Sequence, residues 1–365
     1  MRVALCFLKG VTPETVKTYP EAGLELADFF NPTNGTKQEI LSRAGVDVTA
    51  AGIKEALSRA SEEIEFMDRH SIRMVFMHDP DYPKGLAEIT NPPICLFYLG
   101  DLKEESRHSV SIVGTRRCTK GGMDFCDKFV EESSGLFPDL SVVSGLAFGI
   151  DAAAHRACLK HKSHTMAILA HGLDMIYPSE HRGLARDIIA AGGALVSEYP
   201  SRTTPYKGRF LERNRIVACI SKAVIVVESD LRGGAMSTAN TAFSYSRDVF
   251  AVPGRVSDQM SRGCNHLIMK NKARLTVGYP DFAAEMGWKS RGLQKETAQK
   301  TLFPELDGDS KLIYDYMQKE QAPCSADNIR LATGLSITRV LSTLGELELD
   351  GIITRLPGNR YEIAL

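Results

Sequence analysis

Val224-Ile-Val-Val227, running into Glu228-Ser-Asp-Leu-Arg-Gly-Gly-Ala-Met-Ser-Thr238, is the stretch whose reading decides the fold. Four consecutive β-branched residues leave no polar position for a solvent-facing side, as expected of a central strand buried on both faces. The turn after it is rich in glycine and small hydroxyls and leads into a helical stretch at Ser237–Ser246. Working outward, the same unit recurs. Short apolar runs fall at Ile72–Met77, Val110–Val113, Leu140–Val143, Thr165–Leu169, Ala194–Val196 and Val249–Val252, with helical stretches at Met123–Ser134, Asp151–Lys160 and Ser179–Ala191 between them. Strands alternating with helices imply right-handed crossovers and a parallel sheet covered on both faces. The expected fold class is therefore α/β: an extended, Rossmann-like parallel-sheet domain over residues 69–289.

The flanks read differently. Residues 1–68 form an N-terminal helical domain, with apolar positions at helical spacing in Val46–Met67. Met1–Gly10 lacks a small-residue cleavage site and reads as helix rather than signal peptide. Residues 290–309 are polar and contain Gly and Lys, as a linker would. Over 310–365 come three helices, the second near Ser325–Ala332 and the third from Ser336 to Leu349. A hairpin follows, Ile352–Leu356 and Arg360–Ile363 around Pro357-Gly-Asn359, which makes a winged-helix domain.

Bulk properties exclude several classes. No apolar run approaches the roughly 20 residues of a membrane helix. The eight cysteines form no C-x-x-C pair and have no zinc-ligand spacing, so a reducing cytoplasm is the expected compartment and no metal is expected. His161 and His164 lack a third ligand nearby and read as a surface turn. With a net charge of −1, nucleic-acid binding must rest on a local patch rather than on the whole-chain field.

Such a patch exists. Arg202–Lys222 carries Arg202, Lys207, Arg209, Arg213, Arg215 and Lys222 against the single acid Glu212, with Phe210 among them. Cation plus aromatic is the pairing that holds single strands, the phosphates neutralised and a base stacked on the ring. The alternative makes Phe210 a core residue and engages Arg213 and Arg215 with Glu198 or Glu228; for Lys207 and Arg116, phosphate contact is favoured. Three strand ends supply anion-binding turns: Gly114-Thr-Arg-Arg117, Ser144-Gly-Leu-Ala-Phe-Gly-Ile-Asp151 and Glu228–Thr238. They match G-x-G-x-x-G only loosely, so no dinucleotide cofactor is expected. Asp151 and His155, four apart on one helix face, suggest a catalytic pair, but no nucleophile is placed to complete it. Asp151 is read instead as a helix cap.

At these residues the chain resembles a known family. Ile112-Val-Gly-Thr-Arg116, Ser144–Asp151 with His155, Gly172-Leu-Asp-Met-Ile-Tyr-Pro178, Ser197-Glu-Tyr-Pro200, Arg213-Asn-Arg215, Ala251-Val-Pro-Gly254 and Gly263-Cys-Asn-His-Leu-Ile268 together resemble the DNA-processing protein A (DprA/Smf) family. Thr333-Gly-Leu335, Leu347-Glu-Leu349, Pro357-Gly358 and Tyr361 extend the resemblance into the winged helix. It implies a non-catalytic protein that binds single-stranded DNA, dimerises through the Rossmann domain and helps load the RecA recombinase during transformation. It also implies that Arg116 binds phosphate, that Ser144 and Gly145 line an anion pocket, and that Lys207 and Phe210 grip the strand. Arg117, Arg213, Asn214, Arg215, Gly234, Ser237 and Thr238 complete the expected nucleic-acid-binding set. Three departures stand out: Arg209 and Glu212 vary the basic segment, Arg232-Gly-Gly-Ala235 replaces the usual Ser-Gly-Ser, and before residue 70 only Leu8-Lys-Gly-Val-Thr-Pro13 hints at a degenerate helix-hairpin-helix.

Two rivals remain. A nucleotide phosphoribohydrolase of the lysine-decarboxylase-like group needs an acid just inside the helix after the last glycine loop, and Ala235–Arg247 contains no Asp or Glu. A nucleotide-sensing regulator would bind duplex DNA through its winged helix, yet residues 310–365 hold seven acidic groups against six basic ones, a poor surface for phosphates.

Overall fold

Side chains alternate along each buried strand, so both faces of the main sheet carry a core and few strand positions are polar. The computed structural model describes residues 1–33, 35–102, 108–288, 306, 308–320, 322–350, 352–356 and 360–363. It divides into two compact units, Met1–Ser290 and Arg291–Leu365. The first opens with α1 (Arg2–Leu5), α2 (Pro13–Thr18), α3 (Gly35–Arg43) and α4 (Ala50–Arg69). Then come β1 (Arg73–Phe76), α5 (Lys84–Ala87), β2 (Cys95–Gly100) and β3 (Ser109–Val113). Regular alternation follows: α6 (Lys120–Ser134), β4 (Ser141–Ser144), α7 (Ile150–Lys160), β5 (His164–Leu169), α8 (Arg182–Ala190) and β6 (Ala194–Ser197). The unit closes with α9 (Lys207–Ile220), β7 (Ala223–Val226), α10 (Gly234–Ser244), β8 (Asp248–Ala251), α11 (Arg262–Met269), β9 (Arg274–Leu275) and α12 (Tyr279–Glu285).

The sheet has the order β1-β2-β6-β5-β4-β3-β7-β8-β9. From β6 to β9 every neighbouring pair is parallel. Val224 and Val226 enter one core with α9, α10 and α11; Ala223, Ile225 and Val227 enter the opposite core with α6, α7 and α12. The opening stretch is thus a central strand. One edge departs from the all-parallel expectation. Cys95–Gly100 is a strand the apolar-run reading passed over, and β1 and β2 are antiparallel, β2 pairing with β6. The preceding Asn91-Pro-Pro-Ile94 signals a loop, and β2 has no helix between it and its partner β1 long enough to mark a crossover.

The N-terminal helices share the core of that edge. Ile53, Ala56, Ala60 and Met67 of α4 lie with Phe29 and Leu41 against Phe76, Cys95 and Phe97. On the same stripe the buried Glu63 carboxylate accepts from the Ser201 amide (2.9 Å) and hydroxyl (2.5 Å). The boundary expected after residue 68 runs through this one continuous core. The Leu8–Pro13 stretch turns at Gly10 (φ +81°) between two short helices, α1 and α2.

His164 is not in a surface turn. It is buried at the start of β5, its Nδ1 2.8 Å from the Ser141 hydroxyl. His161 faces Asp127 at 3.0 Å. Among the described residues no cluster of His, Cys, Asp and Glu could hold a metal, and no helix is long and apolar enough to cross a membrane.

The second unit contains α13 (Gly308–Glu320), β10 (Cys324–Ser325), α14 (Ala326–Thr333), α15 (Ile337–Leu349), β11 (Ile353–Leu356) and β12 (Arg360–Ile363). Its antiparallel sheet has the order β10-β12-β11. Ser325 caps α14 through the Asn328 amide and Ser336 caps α15 through the Arg339 amide, while Gly334 (φ +73°) ends α14. Ile313, Met317, Ile329, Val340, Leu344, Leu347, Ile353 and Tyr361 fill its core. This is the winged helix read from the sequence. The Pro357–Asn359 turn and most of the 290–309 linker lie outside the described residues.

Candidate nucleic-acid interface

In the sheet order, the chain runs outward from β3 through β4, β5 and β6, then returns to lay β7 on the other side of β3. Doubly wound sheets bind ligands outside the carboxyl ends of the strands at such a reversal. Here it opens a cleft of about 770 Å³, lined by the three glycine turns and by the start of α9.

The turn after β3 is clamped from two sides. Thr115 donates its amide to the Glu228 carbonyl (2.7 Å), and Ile150 donates to the Thr115 carbonyl (3.2 Å). A Cβ at Gly114 would come within 2.5 Å of the Ile150 side chain, so glycine is needed for that approach. The Glu228 carboxylate accepts from the amide and hydroxyl of Thr119, ahead of α6. That acid is committed to joining two loops. Arg116 and Arg117 are left exposed on the cleft wall.

The turn after β4 rests on two buried charged side chains, each bonded to its backbone. Asp151 accepts from the amides of Gly145 (3.1 Å) and Ala147 (3.4 Å). Arg213, buried beneath the cleft floor, donates Nη1 to the carbonyls of Gly145 (2.9 Å) and Ile168. A Cβ at Gly145 would lie 2.6 Å from Arg213 Nη1 and 2.7 Å from Asp151 Oδ2, so only glycine fits between the two charges. Burial pushes the Asp151 carboxyl above the usual carboxylate range, while Arg213 and the two amides pull it back. Burial likewise lowers Arg213 from its ordinary value, against the pull of Asp151. The residue capping α7 is Gly149 (φ +77°), not Asp151. Asp151 therefore serves the loop rather than the helix end. His155, one turn on, is buried with Nδ1 on the Thr165 hydroxyl (2.7 Å). Burial, then the nearby His181, lowers its pKa to about 3. Held neutral and facing the core, it has no geometry for acid–base work with Asp151.

The start of α9 divides the basic segment. Lys207 is exposed in the cleft, and Phe210, half-buried beside it, has the Arg116 guanidinium 5.6 Å from its ring centroid. Of the other cations, Lys222 is exposed outside the cleft and three are engaged elsewhere. Arg202 pairs with Glu62 (2.9 Å), and Arg209 stacks on Tyr206 (4.6 Å) and Tyr199 (5.5 Å). Arg215 grips Glu198 with both terminal nitrogens (2.6 and 2.8 Å) and donates Nε to the Asn91 carbonyl. It lines a separate pocket of about 350 Å³.

The turn after β7 brings Gly233 and Gly234 to the cleft at the N-terminus of α10, where a Cβ would make only ordinary contact with Ser229 Oγ (3.5 Å) or Asn214 Nδ2 (3.8 Å). The first amides of a helix have no intrahelical acceptor, and no side chain caps these, so they are free to receive an anion. Thr238 turns its hydroxyl to the Gly234 carbonyl (3.2 Å), and Asn214 reaches the same carbonyl (3.4 Å).

The structure thus brings Arg116, Arg117, Gly145, Lys207, Phe210, Arg213, Asn214, Gly234 and Thr238 to one cleft. Ser144, Ser237 and Arg215 do not line it; the Ser144 hydroxyl is buried and donates to the Ile112 carbonyl (2.7 Å). Residues the sequence reading did not select also line it. Tyr177 has its ring 5.7 Å from that of Phe210, Tyr206 adds a second exposed ring, and Arg232 adds an exposed cation. All three sat inside quoted motifs, so the signal was present. Asp230 is an acid on the rim, its carboxyl held low by Gln259 and the Leu231 amide. Four exposed cations against one half-buried acid, open helix amides and an aromatic ring suit a phosphate backbone carrying an unpaired base.

Comparison with known proteins agrees across both units. Residues 73–287 match the family described as DNA recombination-mediator protein A, and residues 297–359 match the DprA winged helix domain. Protein Smf of Synechocystis is 35% identical over 336 residues, 82% of each chain. DNA processing protein DprA of Streptococcus pneumoniae is 41% identical over 207 residues, 57% of this chain and 72% of that one. The X-ray structure of the Streptococcus pneumoniae protein has a TM-score of 0.65 at 32% identity, covering 78% of this chain and 95% of that one. A structure of DNA processing protein A from Helicobacter pylori, reported for its single-stranded DNA binding mode, has a TM-score of 0.53 at 30% identity, covering 59% and 95%. Matches of this length and identity leave one assignment: the chain belongs to the DprA/Smf family.

Proposed function

We propose that the chain binds single-stranded DNA in the cleft at the β3–β7 reversal, protects it, and helps load the RecA recombinase during DNA processing or natural transformation, without a catalytic step. The observation that carries this is Phe210, its ring presented between Arg116 and the exposed Lys207. Every base has a π-face, so such a site grips a strand without reading its sequence. The single-stranded binding mode of the Helicobacter pylori relative supports the same reading. The hydrolase rival lacks a carboxylate on α10, and the acids near the cleft are bonded in place: Asp151 under Gly145, Glu228 to Thr119 and Asp230 on the rim to Gln259. The regulator rival fares no better, because Arg339, the sole cation of α15, is paired with Asp309 at 2.6 Å. A protein contact suits the winged helix better than a DNA groove.

Titration should show single strands bound far more tightly than blunt duplex, with little sequence preference. A truncated chain ending at Ser290 keeps the whole cleft and should bind single strands as well as the full chain. Equal affinity for duplex, or loss of binding in a folded truncated chain, would remove the proposal. Release of free base from nucleoside monophosphates, lost in Arg116→Ala, would put the hydrolase in its place.

A homodimer through the same unit is supported by its sheet edge. β9 is the terminal strand, and Met269, Leu275 and Val277 around it are 67%, 49% and 64% exposed. Unpaired edges with apolar side chains are templates for a second chain. Leu275→Arg should convert a dimer to a monomer in sedimentation without lowering the melting temperature of the unit. A wild-type chain that sediments as a monomer at high concentration would exclude this edge as the interface.

A further inference from the structure

The cleft is not the whole of the cationic and aromatic surface. Phe148, at the tip of the Ser144–Ile150 turn, is 43% exposed although it is flanked by residues fixed at the cleft. Ala147 on one side lines the cleft, and Gly149 on the other abuts the Arg116 backbone so closely that a Cβ there would lie 2.1 Å from the Thr115 carbonyl oxygen. The ring is held rather than loose. It packs edge-on against the His181 imidazole, centroids 4.8 Å apart at 61°, and His181 is itself buried with Nδ1 on the Leu146 carbonyl (2.8 Å). A ring so braced keeps a fixed face toward water, preorganised to receive a planar partner.

The surroundings indicate what that is. Arg182 is exposed and follows His181 directly, opening α8. Arg156 is exposed on α7, on the side of the Cys118 thiol that follows Arg117 in the β3 turn. Among the described residues neither arginine has an ion-pair partner. Arg182 adjoins the residue on which the Phe148 ring packs, and Arg156 lies on the helix that follows the Phe148 turn, so two unpaired cations share elements with an exposed aromatic ring.

We propose that Phe148 is a second stacking platform, outside the cleft, on which a base of the same single strand rests as it leaves past Arg116, with Arg156 and Arg182 taking the adjacent phosphates. This rests on the proposed function and extends it from a pocket to a path. A strand long enough to cross the Gly145–Gly149 turn makes both sets of contacts; one filling only the cleft makes the first set alone.

The test is a length series of oligothymidylates against the full chain, read by anisotropy, with Phe148→Ala, Phe148→Leu and Phe148→Tyr. Phe148→Ala should leave the shortest bound oligomers unaffected and weaken long ones roughly 5- to 150-fold, the range for one stacked base. Phe148→Tyr should bind as wild type. Phe148→Leu keeps apolar bulk against His181 but has no π-face, so it should fail like alanine. Arg156→Ala with Arg182→Ala should reduce the slope of log K against log salt by about 1.4, again for long strands only. Phe148→Leu binding long strands at wild-type affinity would overturn the proposal, as would an equal loss at every length. Those results differ from failure of the cleft reading, in which the wild-type chain itself would show no preference for single strands.

Discussion

Arg213→Ala should cost the protein roughly 3–5 kcal/mol of folding stability, because two buried carbonyls lose their donor and the buried Asp151 loses its nearest compensating charge. In a unit of this size that is a fall in Tm of roughly 6–20 °C. Asp151 would then be buried without its nearest cation, and the Gly145 and Ile168 carbonyls would lose the guanidinium that joins them. DNA binding should fall as well, because the Gly145 turn is part of the cleft floor. Two features would separate this from loss of a phosphate ligand. The salt slope of the residual binding should match wild type, and a low-temperature titration, where the variant is folded, should recover much of the affinity. Arg116→Ala is the contrasting case: its side chain is exposed, so the melt should barely move while binding and salt slope both drop. An Arg213→Ala protein that melts as wild type and loses one phosphate's worth of salt dependence would return Arg213 to the ligand contacts.

That contrast marks what could be read from the residues alone. Val224–Val227 announced itself because both faces of β7 are buried and no position is polar. The winged-helix boundaries were equally plain, since Ser325, Ser336 and Gly334 carry cap chemistry local to the chain. The β2 strand was hidden behind Asn91-Pro-Pro93, because antiparallel pairing with β6 depends on residues about a hundred positions away. The site divides along the same line. Glycine turns and the basic run were visible as composition, but a run of cations does not disclose which of them face water. Over Lys207–Arg215 five charged residues surround Phe210 and Leu211 without an apolar stripe, and only the folded chain shows that helical rotation presents Lys207 and Phe210 to the cleft, buries Arg213 and delivers Arg215 to Glu198. Asp151 and His155 share a helix face, as their spacing implies. Their environments, one bonded to loop amides and the other neutral against Thr165, are tertiary facts.

The second large effect separates charge from stacking at the residues that face the ligand. Lys207→Ala removes one phosphate partner, so affinity should fall and the slope of log K against log salt should shrink by about 0.7 for a single strand. Phe210→Ala removes a ring and no charge. It should weaken binding by roughly 1–3 kcal/mol with the salt slope nearly unchanged. The Arg116 guanidinium adds a condition, because it lies over the Phe210 ring at 5.6 Å. Losing the ring frees that cation, so Phe210→Ala and Arg116→Ala should not be additive: the double variant should bind better than the sum of the two losses implies. Folding supplies the remaining control. Phe210 is half-buried against Tyr177, so its truncation should cost well under the roughly 3–5 kcal/mol of a fully buried phenylalanine. A Phe210→Ala protein that loses that full amount and binds single strands normally at low temperature would make the ring a core residue. The grip on DNA would then rest on Arg116, Lys207 and the open amides of α10.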